Sequence, residues 1–235
     1  MENETRNTPA RRAFLAQLGA ATAMLAGGAA TTSLAAQLAE PGADVEADRR
    51  QGSPWDTSWI DRLANVPYRV VIDANAINDG YAIDLAAGFL DQFHEAHGTT
   101  DAQTRAVIVM RQLGTPMALG DGLWDKYGIG EELKLNDPAT KQLARRNLFY
   151  KARPGSWQGS HSNSLQALTA RGTILLLCNI AMHNWSSRHA EAAKRSLDDV
   201  VAEVRAGLVP GTIVVPSGVY ALIRAQNAGC AYMHG

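Results

Sequence analysis

The sequence predicts a doubly wound, flavodoxin-like α/β fold: a parallel sheet of about five strands with helices on both faces. Three observations predict it. Ile174-Leu175-Leu176-Leu177 is an unbroken apolar run, the pattern of a strand covered on both faces. Further short apolar or β-branched runs recur at 68–73, 106–110 and 212–215. Helix-periodic stretches separate them, so strand and helix alternate along the chain. The 235 residues, 46% hydrophobic and 19% charged, suffice for one domain with a sizeable core. Two cysteines are too few for a disulfide framework. A formal net charge of −1, with no basic stripe, gives no electrostatic support for binding nucleic acid.

The N-terminal segment carries Arg11-Arg12-Ala13-Phe14-Leu15, followed by an uncharged Ala-, Gly- and Leu-rich run to Ala36. Small residues around Ser33-Leu34-Ala35 offer cleavage sites. Residues 1–36 therefore read as a twin-arginine export signal, an address that is removed. The run is too rich in Ala, Gly and Thr for a membrane anchor, so a periplasmic or otherwise exported protein is expected, without membrane attachment after cleavage. Residues 37–66 form a linker and N-terminal extension, Pro-, Gly- and charge-rich from Glu40 to Pro54. Trp55 and Trp59 suit a short helical turn packed on the domain, or rings that stack on a ligand.

The domain spans 67–235. Its first strand, 68–73, leads into the turn-rich loop Asn75 to Gly80. A helix over 81–97 has Ile83, Ala86, Phe89, Leu90 and Phe93 at helical spacing and Gly98 as its stop. The second strand covers 106–110. The Leu175 strand is third. One long helix is then expected over 187–206, with Ala190, Ala193, Leu197, Val200, Val201 and Val204 inward and Gly207 and Pro210 ending it. The fourth strand covers 212–215, a last helix 218–228, and a short final strand 230–233. The irregular part is an insertion near 113–164, rich in glycine, with one helix expected around 138–147. A connection of that length points to a functional loop or an oligomer contact.

Ligands of open parallel sheets bind beyond the carboxyl ends of the strands. Four segments should meet there: Asp73-Ala74-Asn75, Arg111-Gln112-Leu113-Gly114, Cys178-Asn179 and Pro216-Ser217-Gly218. Cys178 ends its strand at that rim and is the candidate nucleophile; the competing reading is a buried structural thiol. Ser217 and Gly218 open a helix whose free N–H groups suit an anion, or simply cap it. Asn75, Asn179 and His183 are candidate ligand-binding residues beside the thiol. Cys178 and Cys230 are expected at opposite edges of the sheet and unbridged. His183 and His161 offer a base, but no C-x-x-C, H-E-x-x-H or G-x-S-x-G spacing is present, so no metal site, no resident cofactor and no serine hydrolase is expected.

The strand ending in Cys178-Asn179-Ile180-Ala181-Met182 and the tail Leu208-Val209-Pro210-Gly211-Thr212-Ile213-Val214-Val215-Pro216-Ser217-Gly218, continuing to Gly229-Cys230-Ala231-Tyr232, together resemble the DsrE/DsrF-like family. The resemblance covers roughly residues 68–233 and is closer to its exported branch with a twin-arginine leader. It implies a doubly wound sheet, a trimer or higher homo-oligomer, and a sulfur relay in which a persulfide forms on the Cys178 position, with a sulfur donor or acceptor protein, or a small ligand, as partner. The alternative is a non-catalytic ligand-binding or oligomeric module of the same fold. In it Trp124, Tyr127 and Trp157 would cover a small ligand or line a subunit interface.

Overall fold

The computed structural model describes residues 54–151 and 163–235. The twin-arginine segment, most of the linker, and Gly155, Trp157 and His161 of the insertion lie outside the described residues. A 3-10 helix, Ser58–Leu63, precedes β1 (Tyr68–Ala74), α1 (Tyr81–His97), β2 (Thr104–Met110), a 3-10 segment (Gln112–Ala118), α2 (Asp121–Lys126), α3 (Ile129–Glu132) and α4 (Leu165–Ala170). There follow β3 (Ile174–Cys178), α5 (Asn179–Ala193), α6 (Leu197–Ala206), β4 (Thr212–Val215), α7 (Gly218–Asn227) and β5 (Ala231–His234). All five strands are parallel, in the order β4-β3-β2-β1-β5.

That order decides where the helices go. From β1 to β4 the chain steps across the sheet in one direction, so right-handed crossovers place every intervening helix on one face. The return from β4 past β1 to β5 runs the other way and puts α7 on the opposite face. The two cores show this division. Val70, Ile72, Ile108, Met110, Leu175 and Leu177 pack under α1, α4, α5 and α6. Alternate residues Val71, Val107, Val109, Ile174 and Leu176 pack under α7 and the first 3-10 helix, through Ala221, Ala225, Trp59 and Leu63. Helices thus cover both faces, unequally. Trp59 is fully buried there, as the helical-turn reading expects.

Two elements differ from the sequence expectation. The helix expected over 187–206 is two helices: α5 starts eight residues earlier, directly after Cys178, and stops at Lys194, which takes a left-handed φ of 52°. Ser196 then caps α6, its Oγ accepting from Asp199 N at 3.1 Å. No helix forms over 138–147. Instead Asn136 and Leu143 make an antiparallel bridge, and helices form earlier, at α2 and α3.

The described part of the insertion contributes to the core through Met117, Leu123, Trp124, Ile129 and Phe149. Trp124 is fully buried, with Nε1 donating to Pro116 O at 3.0 Å. Asn147 is the hub: its Nδ2 donates to Met117 O and Leu119 O, and its Oδ1 accepts from Phe149 N and Tyr150 N, all between 2.7 and 3.0 Å. One buried amide therefore satisfies four backbone groups that no sheet or helix serves. Arg146 grips Asp137 with both Nε and Nη2. Trp124 packs against Phe149, and Tyr127 packs edge-on against Trp185.

Candidate functional site

Adjacent strands β3 and β4 send the chain to opposite faces, β3 into α5 and β4 into α7. Such a divergence opens a crevice beyond the carboxyl ends of the two strands. A cavity of about 390 Å³ lies there. Its floor includes Cys178; α5 supplies Ile180, Ala181 and Trp185, and α7 supplies Val219 behind Ser217 and Gly218. The segment after β2 closes it with Arg111 and Leu113.

Cys178 is 6% exposed, yet it lines this cavity. It is both the last residue of β3 and the N-cap of α5, with Sγ accepting from Ala181 N at 3.3 Å. The first N–H groups of a helix lack intrahelical partners and carry its positive end. Ser217 caps α7 in the same way, Oγ accepting from Tyr220 N at 3.0 Å. Two helix N-termini therefore open on one cavity.

Arg111 is the third positive feature, and it is held from behind. Its Nε and Nη2 donate to the two oxygens of Asp73, both at 2.7 Å. Asp73, next to last in β1, is almost wholly buried, and the Tyr232 hydroxyl donates to its Oδ2 at 3.1 Å. Hydrogen bonding to Asp73 raises the Arg111 pKa above its ordinary value. Burial, and then that same carboxylate, push the Tyr232 phenol up. The arginine passes close to the start of α7: a Cβ on Gly218 would stand 2.5 Å from Arg111 Cδ. Gly114 is equally forced, since a Cβ there would lie 2.2 Å from the backbone oxygen of Ala74. Two glycines thus let the β2 exit nest between its neighbours.

Of the six residues singled out from the sequence, Cys178, Ser217 and Gly218 line one cavity. Asn75, Asn179 and His183 are not among its lining residues. The Asn75 amide lies 3.3 Å from His234 Nε2. Asn179 Oδ1 accepts from Arg205 Nη2 at 2.5 Å, a partner on α6. His183 is half-buried on α5. The residue missing from that set is Arg111; the signal for it is an arginine set directly after a buried strand, two residues beyond the position that pairs with Asp73 on the neighbouring one. Cys178 and Cys230 are both free. Burial pushes the Cys230 thiol up to about 11. Among the described residues no group of three or more His, Cys, Asp or Glu side chains is placed to hold a metal, and no helix is long and apolar enough to cross a membrane.

No family model matches the chain, and no curated protein matches it. Among solved structures it is similar to MTH1491, a protein of unknown function from Methanobacterium thermoautotrophicum. That likeness has 17% identity and a TM-score of 0.36, and covers 72% of this chain and 99% of the other.

Proposed function

We propose that the protein handles sulfane sulfur, with Cys178 as the atom that takes it up. The observation that carries this reading is the position of Sγ: at the floor of a cavity, on the N-terminus of α5, accepting from Ala181 N. In the step proposed, the Cys178 thiolate attacks the terminal sulfur of a donor of the type R–S–S⁻. A bond forms between Sγ and that sulfur, the donor's S–S bond breaks, and the electron pair leaves with R–S⁻. Sulfur is transferred as a neutral atom, so no external oxidant or reductant is needed. The product is a persulfide anion, which the α5 N-terminus and Arg111 suit electrostatically. A second thiolate then removes the outer sulfur by the same exchange and restores Cys178.

The resemblance to the DsrE/DsrF-like family supports this chemistry, and the Arg11-Arg12 leader supports an exported setting for it. Assembly as a trimer or higher homo-oligomer belongs to the same proposal. The test is mass mapping after exposure of the purified protein to a sulfane donor. One added sulfur atom on the peptide containing Cys178, absent in Cys178→Ser, is the expected result. A Cys178 that stays unmodified while small-molecule thiols in the same tube react refutes it.

A further inference from the structure

The composition of the cavity is one-sided. Its lining residues include two arginines, Arg111 and Arg188, and not one aspartate or glutamate. Arg188 stands at the mouth, its Nη2 4.0 Å from Glu132. Arg111 is fixed deeper. Asp73 occupies its Nε and Nη2, and Nη1 has no partner among the described residues. A guanidinium anchored on one edge keeps the N–H groups of its other edge in a set direction, which is how arginine recognises carboxylates and other oxyanions. Trp185, 1% exposed, also lines the cavity. The walls nearer solvent are the opposite in character: Leu113, Ile180 and Val219 are 68%, 56% and 61% exposed.

We infer that this cavity binds the oxyanion head of a small organic acid, a carboxylate or sulfonate, gripped by Arg111, with the ligand's short apolar body against Leu113, Ile180 and Val219. That the bound acid also carries a sulfane sulfur for Cys178 to attack rests on the thiol reading above; the oxyanion site itself does not. Arg111 is then the specificity-determining residue, and Asp73 a positioning residue that acts through it.

The test uses two alkylating agents that differ only in charge. Iodoacetate and iodoacetamide attack the same sulfur with the same leaving group, and the rate at Cys178 is followed by peptide mass mapping. A cysteine peptide gives the reference ratio of the two rates. At Cys178 the ratio in favour of iodoacetate is expected to exceed the reference by about tenfold or more, the size of one charge-assisted hydrogen bond. Arg111→Gln returns it to the peptide value. Arg111→Lys, which keeps a cation for buried Asp73 and so protects the fold, also loses it because the fork is gone. A wild-type ratio equal to the peptide's, or an Arg111→Lys ratio equal to wild type's, overturns the inference. If Cys178 reacts with neither reagent, the thiol reading fails and the site is read by NMR titration instead. Propionate and methanesulfonate are the probes, and their relative affinities distinguish the two kinds of head group. Shifts at the α5 and α7 N-terminal amides, weakened about tenfold in Arg111→Lys, support the site; no shifts in wild type overturn it.

Discussion

Replacing Arg111 by Met tests whether the rim of the sheet is held together from behind the cavity. The change removes two charge-assisted hydrogen bonds of 2.7 Å from Asp73, leaving that carboxylate, 2% exposed, with the Tyr232 hydroxyl as its remaining hydrogen-bond donor among the described residues. Breaking a buried pair on one side costs about 3–5 kcal/mol, because the surviving charge stays out of water. The Arg111 side chain is itself 20% exposed on the cavity side, so water enters the gap and the lower end, about 3 kcal/mol, is the expected loss. For a domain of this size that lowers Tm by about 6–12 °C. Asp73→Asn combined with Arg111→Met removes the stranded charge, and the double variant should be less destabilised than the two single losses added, by about 2 kcal/mol. Thermal and urea unfolding of the four proteins measure this directly. An Arg111→Met loss below about 1 kcal/mol, or strict additivity in the cycle, would refute the claim that this pair organises the rim.

Asn147→Leu should cost about 4 kcal/mol or more, since Met117 O, Leu119 O, Phe149 N and Tyr150 N all lose their partner; a urea midpoint within experimental error of wild type would show that the insertion does not depend on it. His189 has its pKa depressed, first by burial, with Arg188 adding to the effect and Glu132 opposing it, while Tyr127 and Trp185 pack on the ring. The unfolded chain therefore binds a proton that the folded one resists, so this contribution is complete above the ordinary value of 6.5 and is lost as pH falls below it. His189→Gln should flatten the pH dependence of Tm between about pH 7 and pH 5, and parallel curves for the two proteins count against the assignment. Cys230, with its thiol pushed up to about 11, should resist labelling in the native state at about pH 8, while Cys178 reacts through its cavity. A thiol count of one in buffer and two in guanidinium is the expected readout, and equal native rates for both cysteines contradict it.

Local pattern in the sequence determined the parts of this protein that local physics controls. The continuous apolar and β-branched runs, the helical spacing of Ile83, Ala86 and Leu90, and the stop at Gly98 predicted α1 to the residue and four of the five strands closely. The apolar run before Cys178 put that thiol at a carboxyl end, and Pro216-Ser217-Gly218 announced a capped helix beside it. The break between α5 and α6 was also written there, in Ser196 with Asp199 three residues on, a capping signal stronger than the apolar spacing that runs across it. Only the tertiary structure decided the rest. Strand order depends on pairings between segments far apart in the chain, and it alone opens the crevice where β3 and β4 part. The Asp73–Arg111 pair joins residues 38 apart, so neither side chain identifies the other locally. Asn147 reads as an ordinary polar residue until four orphaned backbone groups surround it. Period and caps are properties of neighbours in sequence; a binding cavity is a property of neighbours in space.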